Sequence, residues 1–274
     1  MQHALRYAVN CSLLFAELPL LERPAAVRDA GFDAVEFWWP FAVAVPGDRE
    51  VDAFVSAVQD AGVQLVGLNF AAGDMPAGDR GLMSWPARAT EFRDNVDVTI
   101  GIGERLGCRA FNALYGNRVG DVDPAEQDEL GAELLAVAAR AAARISGTVL
   151  IEPVSGAPRY PLRTAADALT VLDRVGDEHG STNVGLLADL YHLAVNGDDV
   201  DEVITDSTDR ISHVQIADSP GRNEPGTGSL PLQRQLGDLE TAGYTGWVGL
   251  EYKPSTASID SFDWLPRARR GASA

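Results

Sequence analysis

Two kinds of hydrophobic pattern alternate along the whole chain. Short apolar runs that admit few charges occur at residues 7–12, 34–39, 63–70, 109–115, 148–154, 184–192, 211–218 and 247–253. Bounded by turn residues and rich in Val, Ile, Leu and aromatics, they read as eight buried strands. Between them lie longer stretches whose apolar residues recur every three or four positions, the pattern of amphipathic helices. Residues 20–31 and 49–62 each stop on a glycine, Gly31 and Gly62. Residues 123–145 open with Asp123 as N-cap and Pro124 at the first helical position, and residues 163–176 open on a Thr164 cap.

Strands that alternate with helices imply right-handed crossovers and a parallel sheet. Eight such units predict an α/β fold, a single (β/α)8 TIM barrel; the alternative is an open doubly wound sheet. A doubly wound nucleotide binder needs a glycine-rich loop after its first strand, and "CSLLFAELPL" has no glycine, which favours the barrel. A length of 274 residues without repeat or linker predicts one domain over 1–274, with a frayed tail at 265–274.

Charge narrows the partners. With 22 basic and 40 acidic residues the net charge is −18, a surface that repels phosphate backbones and anionic lipid, so no nucleic-acid or membrane partner is expected. A small anionic substrate is compatible, because charge inside a pocket can oppose the global charge, and so is a homo-oligomer. No run reaches the ~18 apolar residues of a membrane-spanning helix, and the N-terminus lacks the pattern of a signal peptide. Cys11 and Cys108 lack metal-site spacing and read as free thiols in a reducing cytoplasm.

The stretch "HVQIADSPGRNEPGTG", residues 213–228, carries polar residues where a buried strand prefers Val or Ile. Barrel enzymes place their chemistry at the C-terminal strand ends. At the ends of the last four strands stand Glu152 in "LIEPV", Asp189 in "LLADLYH", Gln215 in "HVQIAD" and Glu251 in "VGLEYK". Three carboxylates and an amide converging on one point need a positive charge among them. The all-oxygen set suits a hard divalent metal, Mg2+ or Mn2+, and disfavours zinc. His192, three residues past Asp189, is placed to hold a substrate oxygen. Arg222, in the loop after strand seven that "EPGTG" stiffens, could clamp a substrate carboxylate bidentately. Lys253, two residues past Glu251, shares its face and could also meet an anion. His213 reads as structural, His3 and His179 as surface residues, and Glu36 as an acceptor behind the ligands. Trp38, Trp39 and Phe70 read as core or an apolar wall, and the Gly/Asp-rich loop 71–81 as a lid over the barrel mouth.

At "HVQIADSPGRNEPGTG", "GWVGLEYKP", "LIEPV", "DLYH" and "NFAAGDMPAGDRG" the chain resembles the hydroxypyruvate isomerase family of xylose isomerase-like barrels. The resemblance implies a metal-assisted isomerase of a small 2-oxo hydroxy acid. It implies Glu152 and Glu251 as the catalytic pair, and those two with Asp189 and Gln215 as metal ligands. The run "VSGAPRYPL" after "IEP" departs from the family's usual longer turn, which leaves the substrate less defined than the reaction class. A 2-oxo-tetronate isomerase and a ketose 3-epimerase are the rivals on the same scaffold; epimerase relatives usually carry His where Gln215 stands. A zinc endonuclease of this fold would need many His ligands and a basic face, against four His and a charge of −18. A non-catalytic binding barrel is the reading from another class.

Overall fold

The computed structural model describes residues 3–271. Its strands are β1 (Arg6–Asn10), β2 (Ala34–Phe37), β3 (Gln64–Asn69), β4 (Ala110–Asn112), β5 (Thr148–Ile151), β6 (Val184–Asp189), β7 (Ile211–Ile216) and β8 (Trp247–Leu250). They pair in parallel in chain order, and β8 pairs back onto β1 to close a barrel. Helices α1 (Arg23–Asp29), α2 (Asp48–Ala61), α3 (Ala89–Leu106), α4 (Pro124–Ala143) and α5 (Ala165–His179) join the first six strands. Between β6 and β7 come two short helices, α6 (Leu190–Asn196) and α7 (Val200–Ser207), and α8 (Leu232–Thr241) leads into β8. The eight-stranded barrel is the predicted one. Strict alternation fails at two places: β6 is followed by two helices, and β8 by 3-10 turns at Asp260–Phe262 and Arg267–Arg269.

The local signals act as expected. Asp123 accepts from the Ala125 N–H at 2.8 Å, and Thr164 forms a capping box with Asp167. Gly62 ends α2 at φ 67°, where a side chain would be strained. The run 184–192 was expected to be all strand. Instead Asp189 ends β6 and caps α6, accepting from the N–H groups of Tyr191 (2.9 Å) and His192 (3.4 Å). A carboxylate that satisfies free helix donors turns the chain from strand to helix within one residue.

Two terminal expectations are corrected. The tail is anchored through residue 271: Leu265 is buried, and Arg270 donates to the carbonyls of Leu265, Ala30 and Phe262 at 3.0–3.1 Å. Residues 272–274 lie outside the described residues. His3, expected at the surface, is buried and hydrogen-bonded to the Tyr7 hydroxyl at 3.2 Å; His179 is exposed. A histidine has an apolar ring that packs once one polar partner is found.

Side chains alternate along each strand, and this layers the barrel interior. Its lower end packs Ala8, Ala34 and Val66 against Trp247. Above them the interior is polar. Glu36 accepts from Gln215 Nε2 (2.7 Å) and Asn10 Nδ2 (2.9 Å) and bonds His213 Nε2 at 2.7 Å. This answers why β7 carries polar residues: His213 and Gln215 face inward onto a buried carboxylate. Val214 and Ile216 face outward into the apolar layer under the helices, both fully buried. Glu36 fits because β8 has no side chain beside it; a Cβ at Gly249 would stand 2.5 Å from its Oε1. Gly249→Ala is therefore expected to overpack the interior and cost about 1–3 kcal/mol. A urea midpoint equal to wild type would contradict this.

Candidate active site

The ends of β5 to β8 bring the four predicted oxygen donors together. Glu152 follows Ile151, Asp189 ends β6, Gln215 pairs in register with Asp189, and Glu251 follows Leu250. All four are buried. One oxygen each of Glu152, Asp189 and Glu251 and a ring nitrogen of His192 lie within 4.8 Å of one another.

Neighbouring donors fix one side of each group. Asn112, the last residue of β4, donates to Glu152 Oε2 at 2.6 Å. Asn10, the last residue of β1, and Trp38 Nε1 donate to Glu251 Oε1 at 3.1 and 2.6 Å. Gln215 Nε2 also reaches Glu251 Oε1, at 3.3 Å. Among the four predicted donors two acceptors are left over: Asp189 Oδ2 and Gln215 Oε1 are buried without a hydrogen-bond partner, as is Asn112 Oδ1 beside them. A buried polar atom without a partner costs about 1–3 kcal/mol. Two at one cluster of carboxylates fit a bound cation, and their hard oxygens fit a divalent ion.

Crowding raises the carboxyl groups. Burial and then the charges of Glu251 and Asp189 push Glu152 well above its usual value. Burial also raises Asp189. Burial, with Asp189 and Glu36, pushes Glu251 up to about 7 although Arg222 opposes the shift.

Arg222 was expected to await a substrate carboxylate. Its guanidinium instead pairs with Glu251 and lies 3.6 Å from Asp189, and it stacks on the Tyr191 ring. The reason is electrostatic: three buried carboxylates draw in the nearest cation. The loop is built to deliver it. Asp218 accepts from the N–H groups of Ser219, Gly226 and Leu230 at 2.8–3.0 Å, and Arg222 holds a left-handed φ of 58°.

His192 stays close to its expected place, 3.6 Å from Asp189 and 3.9 Å from Glu152. Burial, then Arg222, hold it down at about 3, so it is neutral. Its Nδ1 accepts from the backbone N–H of Ser155 at 3.1 Å. The Ser155 hydroxyl also lies 2.7 Å from Nδ1; with Nδ1 as the acceptor the ring proton is on Nε2, the atom that faces Asp189 and Glu152.

Glu152, His192, Arg222 and Glu251 line a cavity of about 90 Å³ with Trp38, Asn69, Met75, Arg80, Leu114, Val154 and Ser155. Val154 and Ser155 belong to the loop after β5. A groove of about 580 Å³, lined by aromatic residues and by Asp74, Arg88 and Glu91, shares Trp38, Asn69 and Met75 with it. Of the aromatics read as core or wall, Trp38 lines this cavity, whereas Phe70 packs in the core against Phe92 and Phe111. Lys253 is not at the site: β8 ends at Leu250, strand alternation no longer applies, and the side chain is exposed. Its backbone N–H donates to the Arg222 carbonyl at 2.7 Å, so it supports that loop. Sequence reasoning missed Asn10, Asn69 and Asn112, each the last residue of its strand, and it missed Arg80.

Comparison with known proteins bears on this geometry. The family model described as xylose isomerase-like TIM barrel matches residues 24–268. A Streptomyces coelicolor protein named "Putative hydroxypyruvate isomerase" is 55% identical over 97% of this chain and 98% of its own. A 2-oxo-tetronate isomerase of Cupriavidus necator is 34% identical over 95% of this chain and 97% of its own. A crystal structure titled AP endonuclease, family 2, from Brucella melitensis superposes with a TM-score of 0.87 at 33% identity, covering 97% of this chain and 99% of that one. With its closed barrel, its oxygen-lined mouth and full-length relatives named as isomerases, the chain belongs to the xylose isomerase-like TIM barrel family, beside the hydroxypyruvate isomerases.

Proposed function

We propose that the protein is a divalent-metal-assisted isomerase that interconverts hydroxypyruvate and tartronate semialdehyde. The observation that carries the reading is the pair Glu152 and Glu251, both lining one small cavity, together with Asp189 Oδ2 and Gln215 Oε1, which are buried without partners in the same group of strand ends. In the forward direction a proton leaves C3 and another arrives at C2, while the hydroxyl proton moves from the C3 oxygen to the C2 oxygen. The ketone becomes an alcohol and the alcohol an aldehyde, through an enediolate. Glu152 and Glu251 are the acid–base pair, facing the cavity from strands three positions apart in the barrel. His192 Nε2–H donates to a substrate oxygen, and Arg222, paired with Glu251, opposes the rise that burial imposes on that carboxyl group. Glu152, Asp189, Gln215 and Glu251 would hold Mg2+ or Mn2+, which supplies Lewis-acid stabilisation of the negative charge that develops on the substrate oxygens.

Cavity size supports a short substrate. A volume of about 90 Å³ equals roughly three waters of liquid, far below the ~300 Å³ and more of drug-sized pockets. The adjoining groove and the 2-oxo-tetronate isomerase relative favour a second reading, a four-carbon acid whose tail lies past Trp38 and Met75. A net charge of −18 and four histidines speak against a zinc nuclease. Proton NMR in D2O decides between the substrates. Metal-loaded protein with hydroxypyruvate should deplete the C3 proton signal and form the aldehyde or its hydrate, faster than with a 2-oxo-tetronate. No exchange and no product with either acid would end the isomerase reading.

A further inference from the structure

The lid loop 71–81 places a cation on the cavity that the chemistry above does not use. Arg80 lines the same cavity of about 90 Å³ as Glu152, His192, Arg222 and Glu251. Its Nη1 donates to the carbonyls of Met75 (3.0 Å) and Asp79 (2.6 Å), which fixes the guanidinium against its own loop. Among the described residues no carboxylate lies within ion-pair distance of Arg80, although 40 acidic residues are present. Its loop neighbour Asp79 is taken by Arg88 at 3.0 Å. Arg222, in contrast, is committed to Glu251 and lies close to Asp189.

Position in the barrel adds direction. Arg80 comes from the loop after β3 and Arg222 from the loop after β7, four strands apart in a closed ring of eight, on opposite sides of the mouth. The acidic cluster sits at the ends of β5, β6 and β8. A substrate whose carboxylate approached that cluster would meet three acidic side chains. Turned the other way, its carboxylate meets Arg80 and its hydroxyl and carbonyl meet the cluster.

We propose that Arg80, not Arg222, is the residue that binds the substrate carboxylate and so selects 2-oxo hydroxy acids over neutral ketoses. This rests on the isomerase reading for the word substrate, but the binding claim is testable without turnover. The guanidinium has its Nε and Nη2 donors left for an anion, and a fork of two donors matches a carboxylate.

The test is calorimetry of D-glycerate, which has the carbon skeleton and carboxylate but no ketone, on Mn2+-loaded protein. Arg80→Gln is expected to weaken D-glycerate binding by at least tenfold while Mn2+ affinity stays within about threefold of wild type. Arg80→Lys should recover part of the loss, since a point charge cannot reproduce the fork. D-glycerate affinity within threefold of wild type in Arg80→Gln overturns the proposal. So does a parallel loss of Mn2+ and D-glycerate affinity in both variants, because Arg80 then only supports the loop. If wild type binds D-glycerate through Arg80 but turns over no 2-oxo acid, the isomerase reading fails and the carboxylate site stands.

Discussion

Glu152→Gln and Glu251→Gln should each lower turnover about a hundredfold or more and leave the protein folded. A positioned acid or base contributes about 10²–10⁴ to rate, and an amide can neither take nor deliver the proton. The fold should survive because both positions keep their partners. A Gln at 152 can still turn its carbonyl to Asn112 Nδ2, which now donates at 2.6 Å. A Gln at 251 can still accept from Trp38 Nε1, now at 2.6 Å. Electrostatics favours the change at 152 as far as stability goes, since Glu152 is pushed up by the charges of Glu251 and Asp189, and a neutral side chain relieves that repulsion. The unfolding midpoint in urea should therefore stay level or rise for Glu152→Gln. Glu251→Gln gives up the partner of Arg222 and should do less well. Turnover near wild type in either variant, followed by NMR, removes that glutamate from the proton transfer.

The barrel was legible because its signals are local and repeated. Each strand run is bounded by turn residues, and each helix is closed by a side-chain cap or a left-handed glycine such as Gly62. The oxygen donors were legible by a single rule, that a polar residue at the C-terminal end of a barrel strand needs a reason. The rule was applied to the last four strands only. Applied to all, it would have found Asn10, Asn69 and Asn112, which close β1, β3 and β4 and of which Asn10 and Asn112 donate to Glu251 and Glu152.

Other features depend on contacts that spacing does not encode. Lys253 was placed by carrying strand alternation three residues past Leu250, where the backbone has left the sheet. Arg222 was assigned to a ligand because a loop arginine gives no sign of which carboxylate it will meet. Arg80 had no signal beyond membership of a Gly/Asp-rich loop. Its relevance follows from its place on the cavity and from the absence, among the described residues, of a carboxylate at ion-pair distance, and both are tertiary facts.

Chelation of divalent metal should abolish turnover, and Mg2+ or Mn2+ should restore it. The argument starts from the donors. Asp189 Oδ2 and Gln215 Oε1 are buried without partners between two glutamates whose carboxyl groups are raised by burial. Such an arrangement gains most from a cation that all four oxygens can share. A ligand that binds the folded state alone stabilises it by RT ln(1 + [L]/Kd), about 2.7 kcal/mol at a hundredfold excess over Kd. For a barrel of this size about 1 kcal/mol moves Tm by ~2–4 °C, so saturating Mn2+ should raise Tm by roughly 5–10 °C. Asp189→Asn separates charge from structure. Asn caps a helix as well as Asp does, so the N–H groups of Tyr191 and His192 keep their acceptor and α6 should persist. The charge at Oδ2 is lost, and with it most of the Mn2+-induced rise in Tm. Full turnover by protein shown by elemental analysis to be metal-stripped would overturn the four-oxygen site. An undiminished Mn2+ shift in Asp189→Asn would place the ion elsewhere in the molecule.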